Sequence, residues 1–544
     1  TDSYRFLQKK SVRIREICEI RTSVVSQCIP KCNLKMKHPI KILQILQNQS
    51  YLIPKKSHLI LIPVTTKFKS TISFKNKKIM KDSKTSRRRF LTQIGAASLA
   101  TATSPLTTLA AQEKAEARIL HYETPISPND KIRIGVIGYG VQGHFDLETA
   151  LKVPGVELAG ICDLYSGRIE NAQEKFGKDL YTTTNYKDLL DRKDIDAVLI
   201  CTTDVWHARI TMDALAKGKH VYCEKPMIYK ISEGYPVMEA AKKSGKVLQV
   251  GSQRVSNIGY AKAKELLAAG EIGKLNMVNA VYDRQSSIGS WEYTIPKDAN
   301  AMTTNWDKFI EATEKMNFDA KKFFWWRAFK EVGTGVAGDL FVHLLSGTHL
   351  ITNSKGPESI YSTGQFSYWK DGRNMPDVMS GVLQYPDSKE HAAFQMTLQV
   401  NFISGTGGQE LIQLVGSEGI IAINGNDITV KHSLLPEAPG FGGYDSLFTF
   451  SKKMQAEMQK DYDAKWTAEQ RKRKTKADIV FKAPEGYSDH LDHFAHFFDS
   501  IRTGKPVVED AEFGFRAAAP ALACNTSYFS KKIVHWDPVQ MKLK

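Results

Sequence analysis

Cysteine is sparse in this sequence, with seven in 544 residues, which excludes a small disulfide-stapled scaffold. Cys162, Cys201 and Cys223 each stand at the end of a predicted strand and Cys524 in the last helix, with no C-x-x-C pair among them. They read as packed thiols rather than disulfides or metal ligands. Long apolar runs are also missing. Outside Ile94 to Ala111 no segment is long and apolar enough to cross a bilayer, and that one is rich in Thr and Ser. No repeat at solenoid periods and no low-complexity domain occurs. Acidic residues are nearly absent from the start of the chain. Residues 1–79 hold 17 Lys+Arg against 3 Asp+Glu and residues 80–111 hold 5 against 1, so the remainder carries a net charge of −1 out of the overall +17. A positive balance confined in this way is no footprint for a nucleic-acid backbone, and none is expected as partner. The chain is 42% hydrophobic and 10% aromatic, which excludes wholesale disorder and suffices for at least two cores.

Residues 1–79 are read as a non-native or disordered basic extension and are set aside from the fold. Met80 then opens a polar, basic stretch containing Ser86-Arg87-Arg88-Arg89-Phe90-Leu91-Thr92, followed by a mildly apolar run ending near Ala110-Ala111. This resembles a twin-arginine signal peptide, which implies export of an already folded chain to the periplasm, or tethering to the membrane where the signal stays uncleaved. Residues 112–130 read as a linker.

Residues 131–253 alternate short, wholly apolar runs with helical stretches, the pattern of parallel strands covered on both faces. The expected strands are 131–137, 156–161, 196–201, 220–223 and 247–251. After the first stands Gly138-Tyr139-Gly140-Val141-Gln142-Gly143, a complete G-x-G-x-x-G. Its first glycine suits a tight turn, its second lets backbone approach a pyrophosphate, and its third lets helix and strand pack closely. The phosphates would rest on the helix N-terminus, where unpaired N–H groups and the dipole favour negative charge. Asp163 ends the second strand 20 residues beyond Gly143, placed to accept the adenosine ribose hydroxyls and to repel a 2′-phosphate. NAD is therefore expected over NADP, although Arg168 nearby could swing toward a phosphate.

The next stretch runs Cys201-Thr202-Thr203-Asp204-Val205-Trp206-His207, then Ala216-Lys217-Gly218-Lys219-His220-Val221-Tyr222-Cys223-Glu224-Lys225-Pro226. Gly270-Glu271-Ile272-Gly273-Lys274 and Ser500-Ile501-Arg502-Thr503-Gly504-Lys505-Pro506 follow. As a set, over residues 131 to about 530, these motifs resemble the glucose–fructose oxidoreductase / inositol dehydrogenase (Gfo/Idh/MocA) family. The resemblance implies an α/β fold: an N-terminal Rossmann domain, then a C-terminal α+β domain over 254–544 with an open, mainly antiparallel sheet. It implies a cofactor contacted by Thr202, Thr203, His207, Glu224 and Lys225, with Lys225 between nicotinamide and substrate hydroxyl. An ammonium there would stabilise charge on the reacting oxygen. The family's Asp-x-x-x-His matches Asp339 and His343, four apart and so on one face of a helix. His343 is then the candidate proton acceptor, since imidazole titrates near working pH, and Asp339 would orient substrate hydroxyls or the imidazole. Family members often have Gly where Phe341 stands, and Asp where Ser346 stands. Arg254, Trp326 and Arg327 are candidate substrate contacts, because aromatic faces and a guanidinium fork suit a sugar ring.

The implied activity is hydride transfer between a tightly held NAD and a secondary hydroxyl of a sugar, polyol or glycoside. A glycosidase or lyase using the same cofactor transiently, and a non-enzymatic nucleotide-binding protein, are the alternatives. The resemblance also implies a homodimer or homotetramer through the exposed sheet face. His490, His493 and His496 are spaced i, i+3 and i+6. At ~3.6 residues per turn the third lies roughly 120° round the helix from the first, so no metal site is expected. Residues 452–478, with both charge signs interleaved, read as a solvated helix and loop, and residues 285–324 as an inserted lid or oligomer arm.

Overall fold

The structure, a computed structural model, describes residues 130–544. The basic extension and the Ser86–Thr92 motif lie outside the described residues. Six short strands form the first sheet: β1 (Ile132–Ile137), β2 (Val156–Cys162), β3 (Tyr181–Thr183), β4 (Ala197–Ile200), β5 (His220–Glu224) and β6 (Leu248–Gly251). Their order is β3-β2-β1-β4-β5-β6 and every pairing is parallel, the doubly wound arrangement that the apolar runs predict. β4 is buried along its whole length, which is why its four residues show no polar alternation. Each predicted strand appears within about one residue of its expected bounds. The three-residue β3, half-buried throughout, is too short to leave a periodic signal.

Helices cover both faces. One core joins Ile132, Ile134, Val136, Ile161, Leu199 and Tyr222 to Leu147 and Ala150 of helix Val141–Ala150 and to Ala172 of helix Ser166–Phe176. The same core contains Phe494, Phe497 and Phe498 of helix Asp489–Thr503. Phe494 stacks on Tyr222 with ring centroids 4.4 Å apart. A helix from near the end of the chain, within the 254–544 segment, thus packs on the first sheet. Its apolar residues recur at helical spacing, but that period identifies a buried face without saying which sheet buries it. Ser488 caps this helix through Leu491 N–H, and Gly504 ends it at φ +71°.

The second sheet has ten strands: β7 (Leu275–Asp283), β8 (Ser359–Gln365), β9 (Val378–Tyr385), β10 (Phe394–Asn401), β11 (Gln409–Gly416), β12 (Gly419–Asn424), β13 (Asp427–His432), β14 (Ile479–Phe481), β15 (Val534–Asp537) and β16 (Lys542–Leu543). Their order is β14-β13-β12-β11-β7-β10-β9-β8-β15-β16, antiparallel except for β7 with β10. Alternate residues such as Val278, Ala280, Met396, Leu398, Ile412 and Leu414 are buried, in one continuous core with helices Ile258–Ala268, Val342–Thr352 and Ala511–Ser530. The alternating apolar runs at 275–284, 359–366, 378–385, 391–402 and 409–415, which predict strands, correspond to β7–β11. β12 and β13 form an unpredicted hairpin whose signal is the two-residue loop Gly425-Asn426 between the paired Asn424 and Asp427, with Gly425 at φ +60°. Helix Lys452–Lys465 has no buried residue, as the charge pattern predicts.

Candidate active site

The first glycine turn packs tightly against the chain's own backbone. Gly138 sits at φ +91°, and a Cβ there would lie 2.6 Å from the Cys201 carbonyl oxygen; a Cβ on Gly143 would lie 2.0 Å from the Gly138 carbonyl oxygen. Side chains are thus excluded at both positions. Helix Val141–Ala150 begins at Gly140 with no side-chain cap, so its first N–H groups are left to a ligand.

Beyond the turn lies a cleft of about 390 Å³, lined by Gly138, Gly140, Val141, Gln142, Asp163 and Arg168 at one end and by His207, Glu224, Lys225, Trp326 and Arg327 at the other. Thr202 and Thr203 also line it, and the Thr203 hydroxyl is buried with no protein partner among the described residues. Tyr139 is fully buried and contributes its backbone, its N–H donating to Asp163 Oδ2 at 2.7 Å. Asp163 Oδ1 accepts from Tyr165 N–H at 2.8 Å. Each oxygen keeps a lone pair for a ribose hydroxyl. Arg168 lies 3.4 Å from Asp163 and packs against Phe323 and Phe324. The cleft, the bare helix end and the ribose carboxylate together fit a dinucleotide.

The insertion at 285–324 roofs this cleft. Tyr165 donates to Asp298 at 2.7 Å, Ser166 N–H to the Thr303 carbonyl at 2.9 Å, Asn305 to the Leu164 carbonyl at 2.7 Å and Trp206 Nε1–H to the Phe309 carbonyl at 3.1 Å. Lys308, Phe309, Phe323 and Phe324 complete the lining. Of the two roles expected for this segment, the lid is the one these contacts with the cleft bear on.

A second cavity of about 210 Å³ shares Gln142, Glu224, Lys225, Tyr293 and Arg327 with the cleft and adds Arg254, Tyr282, Arg284, Asp339, His343 and His490. Lys225, from the end of the parallel sheet, and Asp339 and His343, from the second domain, therefore meet where the two spaces join. The Lys225-Pro226 peptide is cis. Lys225 Nζ donates at 2.8 Å to both Asp339 Oδ1 and the Asp339 carbonyl, leaving its third N–H for a ligand. Asp339 also accepts from Arg327 Nε at 2.9 Å and from Trp291 Nε1 at 3.1 Å. Burial alone would raise its carboxyl, but the charges of Lys225, Arg327 and Arg284 hold it well below the usual carboxylate range. Asp339 is thus permanently anionic and orients Lys225, not the imidazole as one of the two expectations had it.

The predicted regular helix through Asp339 and His343 is also modified. Ala337–Phe341 forms a wide π turn that runs straight into helix Val342–Thr352, the kind of irregularity that gathers at functional sites. His343 stands just past it. Burial, then the nearby Lys225 ammonium, hold its imidazole well below its ordinary value, so it is neutral and able to accept a proton. Its Nδ1 is buried without a protein partner among the described residues.

Three expected contacts carry structural duties. His207 lines the cleft, but its nitrogens face the Pro226 carbonyl at 2.7 Å and the Thr202 carbonyl at 3.2 Å, so the ring ties two site loops together. Arg254 reaches the second cavity while paired to Glu410 at 2.7 Å and Asp489 at 2.9 Å. Arg327 commits its Nε to Asp339 and stacks over Trp326, 4.1 Å from the ring centroid. Trp291, Arg284 and Tyr293 were not foreseen. Among the described residues no group of His, Cys, Asp or Glu could hold a metal. His493 is bonded to Ser256 and the Val250 carbonyl, both at 2.8 Å. The four cysteines of this region are free thiols, and no described helix is long and apolar enough to cross a membrane.

Comparison with known proteins agrees with this geometry. Residues 132–252 match the GFO_IDH_MocA family, described as an oxidoreductase family with an NAD-binding Rossmann fold. The chain is 33% identical over 168 residues to an inositol 2-dehydrogenase of Salmonella typhimurium, covering 30% of this chain and 49% of the relative. It is 28% identical over 214 residues to a glycosyl hydrolase family 109 protein of Shewanella baltica, covering 36% and 45%. The chain thus spans about half the length of the curated relatives it matches. Among solved structures, a levoglucosan dehydrogenase in complex with NADH and levoglucosan superposes with a TM-score of 0.53 at 17% identity, over 74% of this chain and 99% of that one, a likeness of fold. Residues 132–252 are therefore similar to the NAD-binding Rossmann fold of the Gfo/Idh/MocA oxidoreductases.

Proposed function

We propose that the protein transfers hydride between a resident NAD and a secondary hydroxyl of a sugar, polyol or glycoside. The observation that carries this reading is the meeting of Lys225 and His343 in a cavity that opens onto the cofactor cleft. Bound NAD would supply the hydride acceptor, held by the 138–143 turn, Asp163 and the Thr202–Thr203 segment. Lys225 offers its remaining N–H to the substrate oxygen and stabilises the negative charge that develops there. His343, neutral, takes the hydroxyl proton. Asp339 holds Lys225 in place, and the closely spaced polar groups of Arg254, Arg327 and Tyr282 suit several hydroxyls on one ring. The roof over the cleft favours a cofactor that stays bound between turnovers. NAD is favoured over NADP by Asp163.

The test is a panel of sugars, polyols and glycosides followed by nicotinamide absorbance together with product mass. An oxidised product is expected, with nicotinamide released when the purified protein is denatured; no released nicotinamide and no redox product on any compound would overturn the reading. The match to a glycosyl hydrolase family 109 protein supports a second reading, glycoside cleavage through transient oxidation, which would give cleaved glycoside with no lasting absorbance change.

Export belongs to the same proposal and rests on Ser86–Thr92. Cell fractionation is expected to find the protein in the periplasm, and Arg87→Lys with Arg88→Lys to leave it inside; a wild-type protein confined to the cytoplasm would refute this. A homodimer or homotetramer through the outer face of the second sheet, where Tyr361 and Val382 are exposed, is the corresponding assembly, and a monomer in sedimentation would refute it.

A further inference from the structure

Directly behind Lys225 lie two carboxyl groups that the proposed chemistry leaves unused. Asp146, on the first helix of the dinucleotide domain, is 1% exposed, and Glu224, at the end of β5, 4%. Cys201, whose thiol bonds to Asp146, follows β4 directly, and Glu224 ends the adjacent β5, with Ile200 paired to Cys223, so the two carboxyls come from neighbouring positions. The donors around them are few and weak for two anions. Asp146 accepts from Gln142 Nε2 at 2.9 Å and from the Cys201 thiol at 3.3 Å. Glu224 accepts from Gln253 Nε2 at 2.6 Å and from the Lys225 N–H at 3.2 Å. A Cβ on Gly251 would lie 2.4 Å from Glu224 Oε1, so nothing further fits on that side. The cation facing the pair is Lys225, whose ammonium is already bonded to Asp339. The other titratable neighbours, Cys201, Tyr222 and Cys223, are held neutral by burial. Two adjacent buried carboxylates without a bonded cation cannot both ionise, so at least one proton stays on the pair.

Glu224 lines both cavities, as does Gln142, which donates to Asp146, so the pair adjoins their junction through these two side chains. The nicotinamide ring is a cation when oxidised and neutral when reduced. We propose that the Asp146–Glu224 pair changes its proton content with the oxidation state of the cofactor, holding fewer protons opposite the oxidised ring and taking one from solvent when the ring is neutral. No electron passes through the pair: the substrate carbon gives its hydride to the ring, the hydroxyl proton goes to His343, and the pair exchanges its own proton with water. The inference rests on the NAD reading of the cleft.

Burial pushes the Asp146 carboxyl up to about 7 and Glu224 well above the carboxylate range, so the first ionisation of the pair falls near neutrality. A facing cation lowers that value. Between the lowered and unlowered values the oxidised complex has lost a proton that the reduced complex keeps, and there each rise of one pH unit weakens the reduced cofactor relative to the oxidised one by up to about tenfold.

The experiment is calorimetric titration of the full chain, first cleared of resident nucleotide and checked to be folded, with NAD⁺ and with NADH between about pH 6 and pH 8.5, in two buffers of different ionisation enthalpy, which counts protons bound. Up to one extra proton is expected in the NADH complex near neutral pH, absent in D146N and in E224Q and retained in H343N. Equal proton counts in the wild type, or a difference surviving in both carboxyl variants, would overturn the inference alone. Failure of either nucleotide to bind would overturn the NAD reading and this inference with it.

Discussion

Lys225→Ala is expected to lower kcat/KM by about 10²–10³ on any alcohol the protein oxidises, with the loss carried by kcat. The ammonium is bonded twice to Asp339 at 2.8 Å and presents one remaining N–H at the junction of the two cavities, so it acts on charge that appears as the hydroxyl becomes a carbonyl. Loss of that donor leaves ground-state contacts from other residues in place, which predicts a small change in KM. Lys225→Arg should restore little, because a planar guanidinium cannot make the same two bonds to one aspartate and still point a donor into the cavity. Nucleotide binding, measured by fluorescence titration, separates this effect from loss of the cofactor. Unchanged turnover in Lys225→Ala with bound nucleotide would remove the lysine from the mechanism.

The second large effect is expected at His343. His343→Asn should reduce kcat by about 10²–10⁴, the range for loss of a positioned general base, and should change the pH profile. The folded imidazole is held well below its ordinary value by burial and by Lys225. Oxidation needs it neutral, so activity is retained as the pH falls through the usual histidine range and lost only in more acidic solution. In His343→Asn that acid limb should vanish while residual activity follows hydroxide. An acid limb centred at the ordinary imidazole value would show that the ring is solvated during turnover; an unaltered limb in the variant would assign it to another group.

The parts of the site that could be read in the sequence are those whose chemistry depends on local spacing. A Gly138-x-Gly140-x-x-Gly143 turn between strand and helix, an acidic residue 20 positions on, and a lysine at a strand end all carry their geometry within a few residues. Asp339 and His343 were legible for the same reason, although the π turn between them was not, since the run Gly335 to His343 reads equally well as one regular helix. Trp291, Arg284 and Tyr293 come from irregular backbone in or beside the insertion, where no period predicts which side chains turn inward. Asp146 is illegible for a subtler reason: one acidic residue on a helix four places after Gln142 has the look of an exposed i, i+4 pair, and only the tertiary approach of Glu224 shows it to be buried. The packing of helix Asp489–Thr503 on the first sheet was not legible because long-range docking leaves no mark on local pattern.

That helix has a consequence for biogenesis. Phe494, Phe497 and Phe498 close one side of the sheet that holds the glycine turn, and they leave the ribosome some 240 residues after β6 does. Until they arrive, Tyr222 lacks the ring stacked on it, and the core that Leu147, Ala150 and Ala172 begin over Ile134 and Val136 is incomplete.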